Sequence, residues 1–275
     1  MLNNGCRYKQ RFGVSLSTTH NDINTVIIES CAYGRAGLIG NPSDGYFGKT
    51  ISVILRNFQA QIVCTESPTL NIAPCAQDRM EFGGIDDLLD DVAVNGYYGG
   101  LRLIKAAIKR FGDYIREQDI TLANKNFTLE YQTNIPIRVG LAGSSAIVTA
   151  TLRALLRFYE VTIEPHHLAN LALSVEADEL AIGAGLQDRV IQAYEGAMYM
   201  DFDKQLMDKR GYGEYKPLDV SKLPPLFVAY RQTLAEGTEV THNDLRSRFN
   251  RGEPEVLAAM QEFGSYAEQA ANLIE

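Results

Sequence analysis

The chain reads as an α+β protein in two parts, and three observations carry that reading. Two short alternating runs, Ile51-Val53-Leu55 and Phe127-Leu129-Tyr131, have the two-residue period of half-buried strands. Apolar stripes at helical spacing accompany them, Leu101-Ile104-Ile108-Phe111 and Val148-Leu152-Leu155-Tyr159. A polar, turn-rich stretch from Asp201 to Lys222 then reads as a connection between domains, dividing residues 1–203 from residues 204–275.

Composition narrows the classes of function. A net charge of −8 argues against a nucleic-acid surface, which needs a clustered basic face. Nucleotide binding stays open, because backbone N–H groups and a bound cation supply positive charge without basic side chains. Cys6, Cys31, Cys64 and Cys75 form no Cys-x-x-Cys pair, and His20, His166, His167 and His242 have no zinc-ligand spacing. Reduced thiols suit a cytoplasmic protein. The N-terminus lacks an apolar signal segment, and no apolar run is long enough to span a membrane.

In chain order, residues 1–24 are polar and carry no pattern beyond that of an arm or short edge. Thr25 to Ser30 is β-branched and reads as a strand. Glycines at 34, 37, 40, 45 and 48 then mark successive turns before the strand at Ile51. Gly48-Lys49-Thr50 imitates the end of a phosphate-binding P-loop, but Ser43 stands where that motif needs glycine, and a strand follows in place of a helix. Glu66 to Arg79 is loop-like. Asp86, Asp87, Asp90 and Asp91 read as a solvated helix face. The stripe beginning at Leu101 is expected to stop at Gly112 in a left-handed cap.

The most informative stretch is NIPIRVGLAGSSAIVTATLRALLRFY, residues 134–159. Gly140, Leu141, Ala142, Gly143, Ser144, Ser145 and Ala146 describe a tight loop feeding a helix, with Ser144 or Ser145 as the cap. Unpaired N–H groups and the helix dipole suit a phosphate there, while an ordinary capped core helix fits the same letters. Pro165 starts a further helix with Leu168, Leu171, Ala172 and Val175 on one face and Glu176 at its edge, in keeping with a solvated carboxylate. Gly183 and Gly185 end it. A short helix and a strand follow, with Asp188 placed to cap that helix. Leu226 to Tyr230 reads as a short strand, residues 231–244 as a loop, and the chain from Glu253 onward as a helix.

Three segments together resemble the GHMP kinases, the family of galactokinase, homoserine kinase and mevalonate kinase. AYGRAGLIGNPSD is similar to the family's N-terminal substrate motif, PIRVGLAGSSA to its phosphate-binding motif, and GAGLQDRVIQAYEGAMYMDF to the segment that holds its catalytic aspartate. GNPSDGYFGKTIS, NGYYGG, GLQDRVIQAYEG and the RFNRGEPEV tail resemble most closely the glucuronokinases, the sugar-acid 1-kinases.

The resemblance implies a ribosomal-protein-like N-terminal domain, a ferredoxin-like C-terminal domain, and phosphorylation of a sugar acid by ATP with Mg²⁺. Asp188 would accept the sugar hydroxyl's proton and Arg35 would pair with it. The 140–146 loop would hold the nucleotide, and Ser144 or Ser145 with Glu176 would hold the cation. Arg35, Asn41, Ser43, Asp44, Asp188 and Arg189 would meet the sugar. Its carboxylate needs a basic partner, with Arg35, Lys49, Arg189 and Arg231 all open.

There are departures from the family pattern. The loop is LAGSSA rather than LGSSA, Asn41-Pro42-Ser43 replaces the Glu-His pair of galactokinases, and Arg189 stands where many relatives have glutamine. The family's third, glycine-rich motif is absent, so the C-terminal domain is expected to be incomplete. That absence leaves room for a non-catalytic nucleotide or sugar sensor, and other sugars (galactose, galacturonate, a heptose phosphate) remain alternatives. The ribosomal likeness also raises an RNA-binding module, against which the acidic balance weighs.

Overall fold

The computed structural model describes residues 26–75, 78, 81–95, 99–230 and 238–274. In chain order it contains β1 (Ile27–Ile39), β2 (Lys49–Ser67), β3 (Asn71–Ile72), α1 (Ile85–Asn95), α2 (Gly100–Glu117), β4 (Asn126–Thr133), α3 (Gly143–Phe158) and α4 (Pro165–Ser174). There follow α5 (Leu186–Tyr194), β5 (Ala197–Asp201), α6 (Lys204–Arg210), β6 (Glu214–Leu218), α7 (Thr238–Asn250) and α8 (Pro254–Ile274). The α+β class is what the sequence predicts.

The long strand β2 is the spine. It pairs with β1 along nearly its whole length, while its other edge pairs first with β5 and then with β4. Alternation decides what each face meets. Ala60, Ile62 and Cys64 turn with Phe127, Leu129 and Tyr131 of β4 toward α2, α3 and α4, all of them buried. At the other end, Ile51 and Val53 face α8, and Ile54 faces α5. The run Ala197-Met198-Tyr199-Met200 is buried throughout because β5 is covered on both sides, by α8 on one and α5 on the other. Ala267 and Ala271 of α8, one turn apart, are small enough to let that helix lie close on β2 and β5.

Several elements differ from the sequence reading. Gly34 and Gly37 lie inside β1, at its two register shifts, rather than in turns. The helix predicted to stop at Gly112 continues to Glu117, because Ile115 extends the buried stripe and outweighs the roughly 1 kcal/mol that a mid-helix glycine costs. The supposed connection from Asp201 to Lys222 is structured: β6 pairs antiparallel with β5, so a division at 203/204 falls within one sheet. Leu226 to Tyr230 makes no strand. Pro224 and Pro225 precede it without N–H donors, Phe227 is 94% exposed, and Tyr230 only sets its ring edge-on to Phe58. Residues 238–244, read as loop, belong to α7. The N-terminal arm, three residues of NGYYGG and Arg231 lie outside the described residues.

Candidate active site

The glycine-rich loop before α3 is held from two sides. The Arg35 N–H of β1 donates to the Leu141 carbonyl at 3.1 Å. On a Cβ added to Gly34, that same carbonyl would press at 3.2 Å, so the absent side chain permits the approach. From α5, the Gln192 amide donates to the carbonyls of Tyr33 (3.0 Å) and Ala142 (2.9 Å), joining β1, the loop and α5 at one buried point. The loop turns through Arg138, Gly140 and Ala142, all at positive φ, and Ala142 (φ 59°) occupies the cap position of α3. Neither serine caps the helix. Ser145 is fully buried, its hydroxyl donates back to the Ala142 carbonyl, and it does not line the cavity. Ala146 is also buried, behind the loop. Only Ser144 of the pair lines the cavity in front of it. The first N–H groups of α3, which have no partners within the helix, open on the same side.

That cavity, about 640 Å³, gathers most of the residues singled out from the sequence: Arg35, Asn41, Asp44, Glu176, Asp188 and Arg189, together with the loop from Gly140 to Ser144. Arg35 Nε donates to Asp188 Oδ1 at 2.5 Å while its Nη1 donates to the Gly140 carbonyl at 3.0 Å, tying the carboxylate to the mouth of the loop. Asp188 does not cap α5; Gly185 stands at that position and Asp188 lies in the first turn. Instead Asp44 approaches the helix start, and a Cβ at Gly185 would fall 2.2 Å from its Oδ2. Loss of solvation, and then the neighbouring Asp188 carboxylate, push the Asp44 carboxyl up to about 6. Ser43 is the exception among the substrate candidates: it is buried, its hydroxyl donates to the Lys49 carbonyl at 3.0 Å, and it does not line the cavity.

Glu176 is not solvated as its position at the edge of α4 implied. After Ser174 the helix widens into a π turn, Val175–Glu179, which carries Glu176 into the interior at 0% exposure. There its Oε2 accepts two N–H groups of Arg189, Nε at 2.9 Å and Nη2 still closer, and Arg189 Nη1 donates to the Gly185 carbonyl at 2.7 Å. Glu176 Oε1 is buried with no hydrogen-bond partner. Glu176 and Ser144 both line the cavity, and an orphaned carboxylate oxygen beside a hydroxyl is a donor set of the kind a hard cation fits. No group of three His, Cys, Asp or Glu side chains among the described residues chelates a metal by itself.

Sequence reasoning missed four cavity residues. Arg102, Arg138 and Arg246 line it, and none makes an ion pair among the described residues. Tyr46 also lines it, between the Phe249 ring at 4.8 Å and the Arg246 guanidinium at 5.6 Å. Arg138 was in view inside PIRVGLAGSSA, but its role depends on the loop's turn. Arg246 lies in a segment with no apolar period to place it.

Among known proteins, the GHMP kinases N terminal domain matches residues 102–196. The chain is 46% identical over 248 residues to glucuronokinase 1 of Arabidopsis thaliana, covering 89% of this chain and 68% of that protein. It is 44% identical over 247 residues to probable glucuronokinase 2 of the same plant, covering 88% and 67%. The fold is similar to the crystal structure of a D-glycero-D-manno-heptose 1-phosphate kinase from Bacteriodes thetaiotaomicron, with a TM-score of 0.54 at 23% identity over 70% of this chain and 60% of the other.

Proposed function

The chain belongs to the GHMP kinases, and on that premise we propose that it transfers the γ-phosphoryl group of ATP to the anomeric hydroxyl of glucuronate. The observation that carries this reading is the contact of Asp188 with Arg35 at the mouth of the loop that opens α3, inside one cavity with Asp44.

Phosphoryl transfer asks mainly for alignment and for positive charge around the moving group. The first N–H groups of α3 and the turn through Gly140 and Ala142 offer an anion site at the positive end of a helix. Arg102 and Arg138, on the cavity wall, add charge for the nucleotide's phosphates. Asp188 accepts the hydroxyl proton as the sugar oxygen–phosphorus bond forms and the bond to the departing ADP breaks. Arg35 orients that carboxylate through its 2.5 Å hydrogen bond and faces the charge that develops. Asp44 and Asn41 lie where sugar hydroxyls need partners. Ser144 and Glu176 would hold a Mg²⁺, which would supply charge neutralisation on the phosphates.

No helix among the described residues is long and apolar enough to cross a membrane, and Cys31, Cys64 and Cys75 form no disulfide. Both suit a cytoplasmic enzyme. The division between the two domains is better placed after β6 than at 203/204, since β5 and β6 share a ladder.

ADP release that depends on both glucuronate and Mg-ATP tests the reading, with Asp188→Ala as the control. Turnover unchanged in that variant removes Asp188 from the mechanism. Glucuronate binding without turnover in the unaltered protein would leave a sensor in place of a kinase.

A further inference from the structure

A sugar acid differs from the neutral sugar by one carboxylate, and a site that selects it needs a cation not already spent on a protein carboxylate. The four cations open from the sequence are otherwise disposed. Arg35 is bound to Asp188 and the Gly140 carbonyl. Arg189 is 4% exposed and closed on Glu176. Lys49 does not line the cavity and pairs with Glu268 at 2.9 Å and Asp201 at 3.5 Å. Arg231 lies outside the described residues. The cavity's remaining arginines stand at two different places. Arg138 is part of the phosphate loop itself, and Arg102 is in the first turn of α2. Arg246 alone of the three lies against the Asn41–Tyr46 segment. Its Nη2 is 3.2 Å from where a Gly45 Cβ would be, next to Asp44, and its guanidinium sits over the Tyr46 ring.

We propose that Arg246 of α7 is the specificity-determining residue that receives the carboxylate of the sugar-acid substrate. The inference rests on the kinase reading above and deepens it. Arg246 is exposed, has no carboxylate partner among the described residues, and is held in place by packing. Phe249, one turn on, sets its ring against Tyr46 and thereby anchors α7 on the substrate segment. A guanidinium stacked on an aromatic ring has its flat face covered and its N–H edge outward, and that edge matches a carboxylate in two parallel hydrogen bonds. Among the described residues no carboxylate forms an ion pair with it, and Glu253, just beyond α7, is taken by Arg248 and Arg251.

The test is steady-state kinetics of the full chain with glucuronate and ATP, for wild type, Arg246→Gln and Arg246→Lys. Binding that is equal in ground and transition states moves KM and spares kcat. In Arg246→Gln the KM for glucuronate is expected to rise roughly 10- to 100-fold, with kcat and the KM for ATP changing by less than about threefold. Arg246→Lys, which keeps the charge but not the fork, is expected to fall between. An unchanged KM for glucuronate in both variants of an active enzyme overturns the inference and leaves the kinase reading intact. An equal rise in the KM for ATP also overturns it, because the residue then serves the nucleotide. Wild-type preference for glucose 6-phosphate over glucuronate, or no turnover of glucuronate at all, fells the substrate reading and this assignment together.

Discussion

Arg35–Asp188 and Arg189–Glu176 are built from the same two chemical groups and border the same cavity, yet they sit in different surroundings. The side chains of the first are 15% and 17% exposed; those of the second are 4% and 0%. Asp188 is on the first turn of a helix facing open space. Glu176 is carried inward by a π turn and met from below by an arginine whose other nitrogen holds the start of α5. The first pair lies at the cavity, where the proposed reaction needs a carboxylate, and Arg189 of the second also reaches Asp188 Oδ2 at 3.4 Å. The second is a brace that sets where Asp188 and the α5 terminus stand, with one carboxylate oxygen left without a hydrogen-bond partner. Identical chemistry becomes reactive or structural according to how much water and how many fixed partners surround it.

The pair at the cavity carries the largest expected effect. Asp188→Ala is expected to lower kcat by about 10²–10⁴ while leaving the melting temperature nearly unmoved, as read by coupled ADP release and a thermal melt. A large drop in melting temperature with turnover preserved would reverse the roles assigned to the two pairs.

Arg189→Met strikes the brace. It strands a fully buried carboxylate, so urea unfolding should show a loss of about 3–5 kcal/mol, and adding Glu176→Gln should restore much of it. If the single variant is as stable as wild type, the brace carries no stability.

Asp44 sharpens the contrast through pH. Its carboxyl is raised to about 6 from 3.8, so the folded state binds a proton more tightly than the unfolded chain does. Stability from this group is therefore present below about pH 4 and lost as pH rises through about 6. At pH 7 Asp44→Asn should be more stable than wild type by roughly 1–3 kcal/mol, and the difference should vanish near pH 4. Unfolding curves at several pH values check this, and a difference independent of pH would contradict it.

The smallest effect belongs to Lys49, whose partner Glu268 is 54% exposed; Lys49→Ala should cost under about 1 kcal/mol and leave kinetics unchanged.

How much of this was legible beforehand follows the range of the forces involved. Alternation in β2 and β4 and the helical stripe of α3 could be read directly, because burial of one face imposes a period on neighbouring residues. The loop at 140–146 could be found, but its cap could not. Ala142 takes the left-handed conformation under the grip of β1 and Gln192, against its own preference. Gly112 and the Asp201–Lys222 stretch misled for the same reason: a local signal for stopping or turning lost to packing supplied by residues far along the chain.

By itself, then, the sequence determined the class of fold, the family motifs and the identity of Asp188, Arg35 and Glu176 as residues worth watching. Tertiary structure decided that Asp188 meets Arg35 across 153 residues, that Glu176 is buried against Arg189, that Ser145 and Ser43 face inward, and that Arg246 reaches Gly45 and Tyr46. Periodicity and short motifs record what a residue needs from its neighbours in the chain. Which carboxylate meets which guanidinium depends on how strands and helices pack, and no local pattern of letters records that.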